Sequence, residues 1–234
     1  MKIALVGYGK MGKAIEEILI ERGHTISVKL NRKPEASDLT DTDVAIEFSK
    51  PEAAYENIKS LIENKIPAIS GTTGWTDKLE EIKALNDAMD SGFLYASNFS
   101  LGVNLFFELN EYLAKLMSKY PDYKTEIEEI HHTQKLDKPS GTAISLANQI
   151  IENSGFEKWE SDQKSSDLVL PIYSKRIDNV PGTHTVSYHS EIDDIEIKHT
   201  AHSRKGFALG AVLAAEWIYG KKGFFSMKDV LDLK

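Results

Sequence analysis

Ile3-Ala4-Leu5-Val6 is a continuous apolar run, the pattern of a short strand buried on both faces, and it ends at Gly7. An amphipathic helix follows, closing near Gly23, and a second strand is expected from Thr25 to Leu30. The alternation then repeats. Strands are predicted at Val44–Phe48, Pro67–Ser70 and Phe93–Ala96, with helices from Pro51 to about Asn64 and from about Asp77 to Met89. Successive βα units of this length make a parallel sheet covered by helices on both faces. After Gly102 a longer helix is predicted to about Tyr120 on Val103, Phe106, Phe107, Leu113 and Leu116, and beyond it the period changes. Strand-like runs now dominate, at Tyr123–His131, Asp167–Lys175, Thr183–His189 and Ile192–His202, and Gly155–Ser166 reads as an irregular polar loop. A helix from Arg204 and a short one from Ser226 close the chain.

The fold class this implies is α/β. An N-terminal Rossmann-type, doubly wound parallel sheet spans residues 1–98 and is completed by C-terminal helices in 205–234. An α+β domain with a mixed or antiparallel sheet spans 99–204, with hinges near Phe99 and Arg204.

Gly7-Tyr8-Gly9-Lys10-Met11-Gly12 lies between the first strand and its helix, which makes it a dinucleotide-binding loop. The first glycine permits the tight turn, the second lets the backbone approach a pyrophosphate, and the third lets helix and strand pack closely. The second strand ends in Asn31-Arg32-Lys33 where an NAD-specific protein carries an acid for the ribose diol, so a 2′-phosphate is the better match. NADPH is therefore favoured, with NADH admitted. Ligands of such sheets lie beyond the strand C-termini, which adds Phe48-Ser49, Gly71-Thr72-Thr73 and Ser97-Asn98-Phe99 to the cofactor-binding set.

The densest chemistry falls between Glu128 and Thr142. Thr125, Ile127 and Glu129 alternate with Glu126, Glu128 and Ile130, so a strand delivers His131 and His132 to its end. Pro139 stops the regular run, and Ser140-Gly141-Thr142 opens a helix whose apolar face is Ile144, Ala147, Ile150 and Ile151. Unpaired N–H groups and the positive end of a helix dipole beside Lys135 describe a carboxylate pocket. His199 and His202 are three apart on a predicted strand and point to opposite faces, so no metal is assigned.

Composition narrows the class. Hydrophobic residues at 41% and charged ones at 27% describe a globular chain, and the net charge of −8 disfavours nucleic acid or an anionic membrane as partner. Cysteine is absent, which removes disulfides, thiolate zinc sites and a thiol nucleophile. The apolar stretch Leu209–Tyr219 contains Glu216 and is too short for a span, and glycines meet the first strand before a signal-peptide core can form, so a cytoplasmic protein is expected.

In this order the glycine loop, Gly71-Thr72-Thr73-Gly74, Ser97-Asn98-Phe99-Ser100 and Glu129-Ile130-His131-His132-Thr133-Gln134-Lys135-Leu136-Asp137-Lys138-Pro139-Ser140-Gly141-Thr142-Ala143 resemble the 4-hydroxy-tetrahydrodipicolinate reductases, also called dihydrodipicolinate reductases. Gly182-Thr183-His184 and His202-Ser203-Arg204-Lys205-Gly206-Phe207-Ala208 agree, and the likeness spans the chain. The resemblance implies NAD(P)H-dependent reduction of a small cyclic dicarboxylate in lysine and diaminopimelate biosynthesis, by a homotetramer. It further implies His131 as proton donor and Lys135 as the lysine that holds substrate and stabilises charge. His132, Ser140, Gly141 and Thr142 match substrate-carboxylate contacts, Thr73 a hydroxyl near the far end of the substrate, and Arg204 a basic residue at the domain junction. Two other readings remain: a different two-domain nicotinamide dehydrogenase acting on a small acid, and a cofactor-binding regulator without catalysis.

Overall fold

The structure is a computed structural model that describes residues 1–203 and 205–233. In chain order its elements are β1 (Lys2–Val6), α1 (Lys10–Glu21), β2 (Thr25–Leu30), β3 (Val44–Glu47), α2 (Pro51–Glu63), β4 (Ala68–Ser70), α3 (Leu79–Met89), β5 (Gly92–Tyr95) and α4 (Leu101–Met117). They continue with β6 (Lys124–His131), α5 (Gly141–Glu152), β7 (Lys158–Ser161), β8 (Val169–Arg176), β9 (Gly182–His189), β10 (Asp194–Ala201), α6 (Lys205–Ile218), β11 (Gly223–Phe225) and α7 (Met227–Val230). The chain forms two compact units, Met1–Leu101 with Arg204–Lys234, and Gly102–Ser203.

The first unit holds a six-stranded, all-parallel sheet in the order β11-β5-β4-β3-β1-β2. The strand order reverses between β1 and β3, the switch point beside which doubly wound sheets bind ligands. Continuous apolar strands require cover on both faces, and two separate cores supply it. One packs Ile15, Ile18 and Leu19 of α1 and Ala208, Ala211, Val212 and Ile218 of α6 on Ile3, Leu5 and Ile46. The other packs Ile58, Leu61 and Ile62 of α2 and Ile82 of α3 on Ala4, Val6 and Phe93. Glu216 of α6 accepts from Arg22 at 2.8 and 2.7 Å and lies 2.7 Å from His24 Nε2, joining the C-terminal helix to the end of α1. The C-terminal segment also contributes a strand that the sequence pattern does not reveal: β11 is only Gly223-Phe224-Phe225, yet it pairs with β5 as the sixth strand.

The second unit carries a five-stranded mixed sheet, β10-β9-β6-β8-β7, in which β6 runs parallel to β8 and antiparallel to β9. Its buried face packs Ile127, Leu170, Ile172, Val186 and Tyr188 against α4 and α5. Asn110 of α4 donates to the Leu146 carbonyl and to Gln149, fixing the two helices together. The expected irregular segment at Gly155–Ser166 contains β7, which pairs parallel to β8. Lys158-Trp159-Glu160-Ser161 lacks apolar alternation because a strand at the sheet edge buries only part of its surface.

Candidate active site

In the first unit the loop after β1 is shaped by close approach. Gly7 has φ +92°, and a Cβ there would lie 2.0 Å from the Phe48 carbonyl oxygen. A Cβ on Gly12 would lie 2.5 Å from the Gly7 oxygen, so the third glycine does bring helix against strand. Around Gly9 the space is open, and α1 starts there with no side-chain cap and no acid in its first turn. Two adjoining cavities, of about 360 and 420 Å³, run along the strand ends. The first is lined by Gly9, Lys10, Met11, Phe48, Ser49, Gly71, Thr72 and Thr73, the second by Gly7, Tyr8, Gly9, Asn31, Arg32, Phe48 and Ser49. An uncapped helix start facing a glycine-lined cleft fits a dinucleotide pyrophosphate. When bound, a nicotinamide cofactor supplies hydride.

Beneath this cleft lies a carboxylate that the sequence reading passed over. Glu47 is fully buried at the end of β3 and accepts from Ser70 Oγ at 2.6 Å, Thr72 Oγ1 at 3.0 Å and the Ser49 N–H at 3.0 Å, with the Ser49 hydroxyl also donating to it. The Ser49 N–H is shared with Thr72 Oγ1 at 2.8 Å. One buried carboxyl group thus ties together the loops after β3 and β4. Glu47 ends an apolar strand in the sequence and has no local feature to mark it.

Asn31 and Arg32 line the second cavity and each also has a protein partner. The Asn31 side-chain oxygen accepts from the Tyr8 N–H at 2.7 Å, so Asn31 holds the glycine loop. Arg32 forms a forked pair with Asp38 at 2.8 Å, and Lys33 is absent from the cleft lining, its ammonium 2.9 Å from Glu56. Phe99 is core rather than surface. It is 2% exposed, stacks at a tilt on Phe48 with ring centroids 5.5 Å apart, and its carbonyl lies where a Cβ on Gly210 would be. Ser97 and Asn98 do not line either cavity, and Asn98 accepts from the Ser100 N–H at 2.9 Å. Arg204 lies outside the described residues.

In the second unit, β6 places Thr125, Ile127, Glu129 and His131 on the buried face. Cross-strand register sets His184 of β9 opposite Glu129, and Arg176 of β8 opposite His131. Glu129 has no exposed surface. Its Oε1 accepts from Arg176 at 3.2 and 3.3 Å, and its Oε2 accepts from the Ser140 N–H at 3.1 Å and lies 3.3 Å from His131 Nδ1. Burial would raise the Glu129 carboxyl; the His131 and Ser140 contacts outweigh it and hold the group well below the ordinary carboxylate range. Burial, with His131 beside it, pushes the His184 imidazole down to about 3, so that ring is neutral, and its Nε2 lies 3.1 Å from Ser140 Oγ. The rings of His131 and His184 meet edge to face, centroids 5.0 Å apart.

Ser140 caps α5 by accepting from the Ala143 N–H at 3.2 Å. Since its own N–H is held by Glu129, Gly141 and Thr142 are the residues whose N–H groups remain for a ligand at this helix start. The approach segment is a turn closed by Lys135 N–H to His132 O at 3.1 Å, with a cis Lys138–Pro139 bond. Lys135 Nζ lies 2.8 Å from Asp137, whose carboxyl burial would raise but Lys135 holds low. Arg176 also donates to the Asp137 carbonyl at 2.7 Å, anchoring this segment. His132 is half-buried, and its Nδ1 has no partner among the described residues.

Glu129 Oε2, His131 Nδ1 and His184 Nε2 lie within 4.8 Å of one another, a spacing open to a cation. Arg176 already neutralises that carboxylate, which makes the set internally compensated. His199 packs on Phe106, ring centroids 6.0 Å apart, away from this cluster.

A parallel doubly wound sheet with a glycine-lined cleft, and a second unit presenting a buried histidine beside the N-terminus of α5, define a nicotinamide-dependent oxidoreductase of a small substrate. Family models described as "Dihydrodipicolinate reductase, N-terminus" and "Dihydrodipicolinate reductase, C-terminus" match residues 1–99 and 102–231. The chain belongs to the dihydrodipicolinate reductase family. A 4-hydroxy-tetrahydrodipicolinate reductase of Christiangramia forsetii is 57% identical over 99% of this chain and 98% of its own length, and one of Thermosipho africanus is 37% identical over 99% and 98%. The dipicolinate-bound dihydrodipicolinate reductase of Paenisporosarcina sp. TG-14 shares the fold, with a TM-score of 0.77 and 24% identity over 98% of each chain. Among the described residues no helix is long and apolar enough to cross a membrane.

Proposed function

We propose that the chain reduces 4-hydroxy-tetrahydrodipicolinate to tetrahydrodipicolinate in lysine and diaminopimelate biosynthesis, with NADPH as preferred cofactor, NADH as the second, and His131 and Lys135 as the catalytic pair. The observation that carries this reading is the shared Glu129 oxygen, which brings the His131 ring and the Ser140 helix start together. The conversion removes one water from the substrate and adds one hydride and one proton. Hydride arrives at a ring carbon of the conjugated dicarboxylate, and the displaced electron pair is protonated at the neighbouring carbon. His131 supplies that proton. Lys135 pairs with the charge that builds on the ring nitrogen and adjoining carboxylate, exchanging Asp137 for substrate. The N–H groups of Gly141 and Thr142, with His132 and the Thr142 hydroxyl, hold a carboxylate. Thr73 and Arg204 belong to the same proposal as outer substrate contacts. The family resemblance extends it to a homotetramer in the cytoplasm.

Turnover of freshly generated cyclic substrate, followed by NADPH absorbance, tests the reading against both a different dehydrogenase and a non-catalytic regulator: no oxidation of NADPH on adding that substrate would end it.

Dipicolinate, a planar ring with carboxylates on both sides of its nitrogen, should inhibit competitively with substrate. Its mono-acid analogue should bind tenfold to a hundredfold more weakly, because a lost charge-assisted contact costs about 1.5–3 kcal/mol. Equal inhibition constants would mean that the Ser140 helix start serves only its own cap.

Cofactor preference rests on Arg32, which lines the second cavity with its side chain half exposed and held by Asp38. A 2′-phosphate competes for that guanidinium, whereas a ribose diol has no charge to offer it. Arg32→Ala should raise KM for NADPH by about tenfold or more and leave KM for NADH nearly unchanged. Parallel shifts for the two cofactors would remove Arg32 from the phosphate site.

A further inference from the structure

The proposed reaction uses His131, Lys135 and the start of α5, and gives no task to the group they share. Glu129 is the most deeply buried charge of the second unit, and each of its oxygens has a separate duty. Oε1 faces the Arg176 guanidinium, 3.2 and 3.3 Å away. Oε2 meets the Ser140 N–H at 3.1 Å, His131 Nδ1 at 3.3 Å and His184 Nε2 at 3.8 Å. A buried carboxylate is costly unless compensated, and removing one partner leaves the other uncompensated. A cluster held this way keeps its geometry or comes apart as a whole.

His131 is confined from the opposite side as well. A Cβ on residue 182 would lie 3.1 Å from its Nε2, so the ring occupies the space that Gly182 leaves. With Nδ1 turned toward Glu129, Nε2 is the nitrogen that meets a substrate. We propose that Glu129 is a positioning residue, the buried carboxylate that sets the separation between the proton-donating His131 ring and the carboxylate-binding start of α5, with Arg176 as its counter-ion. This rests on the reading of His131 as proton donor. Glu129 touches neither substrate nor cofactor.

The charged and titratable groups around the ring come from three strands: Glu129 on its own, Arg176 opposite on β8 and His184 on β9, His132 being the chain neighbour. Glu129 is the negative member closest to Nδ1. Without it Arg176 loses its counter-ion, and the His131 ring and the start of α5 lose the oxygen they share.

The test compares Glu129→Gln, Glu129→Asp and His131→Ala in the full chain, measuring kcat, dipicolinate inhibition and NADPH affinity. Glu129→Gln is expected to lower kcat by about 10²-fold and weaken dipicolinate about tenfold, with NADPH affinity native. Glu129→Asp keeps the charge opposite Arg176 but withdraws it by one methylene. It is expected to lower kcat only about tenfold. A merely structural role would leave Glu129→Asp no more active than Glu129→Gln. If Glu129→Gln does not fold, Glu129→Asp decides: native turnover overturns the inference, and a tenfold loss with native NADPH affinity supports it. Native rates in the Glu129 variants while His131→Ala is inactive overturn the inference alone. Native turnover of His131→Ala overturns the proton donor and the inference with it.

Discussion

Replacing His131 or Lys135 with alanine should each lower kcat by about 10²-fold or more, with NADPH affinity unchanged. The magnitude follows from the kind of step removed. A positioned general acid contributes roughly 10²–10⁴-fold, and the loss of a charge aimed at developing negative charge costs about as much as one oxyanion-hole donor. Selectivity for turnover follows from placement, since both residues belong to the second unit, whereas the cavities expected to hold the cofactor are lined by first-unit residues. Fluorescence titration with NADPH and steady-state rates on the same preparations separate the two effects. Native turnover in His131→Ala would assign the proton to water or to His132, whose ring is half-buried beside it.

Gly7→Ala should weaken NADPH binding by about 10²-fold or more and lower the thermal midpoint, whereas Gly9→Ala should weaken NADPH binding with the midpoint nearly native. The contrast is one of conformation and space. Gly7 sits at φ +92°, where an L-residue is strained, and its Cβ would fall 2.0 Å from the Phe48 carbonyl oxygen, so the β1 loop and the end of β3 must move apart. Because Phe48 and Ser49 line both cavities, that movement distorts the cleft and the Glu47 hydrogen bonds together. A Cβ on Gly9 meets nothing within 4 Å in the protein and enters the space a pyrophosphate would take. Thermal unfolding and NADPH titration of both variants check this. Equal loss of stability in the two would show that the open space at Gly9 is closed in solution.

The sequence alone determined the features whose cause is local. Apolar runs with flanking glycines specified the parallel strands, the period of two on β6 put Glu129 and His131 on one face, and Ser140 after Pro139 specified the start of α5. The glycine loop was legible because each glycine answers a steric demand within a few residues. Tertiary structure decided what depends on partners distant in the chain. Glu47 and Glu129 read as ordinary strand acids, and only Ser70, Thr72, Arg176 and His184, contributed by other segments, make their burial tolerable. Asn31 read as a cofactor residue beside a 2′-phosphate, and its hold on the Tyr8 N–H across the loop shows only once the end of β2 lies against that loop. Phe99 read as a cofactor residue near a hinge, and the close approach of α6 at Gly210 makes it core. β7 and β11 are too short to show a period, and their strand character comes from hydrogen bonds to β8 and β5. Periodicity reports the face a residue occupies; the compensation of a buried charge depends on which strands and helices meet there, and that is fixed only when the sheets assemble.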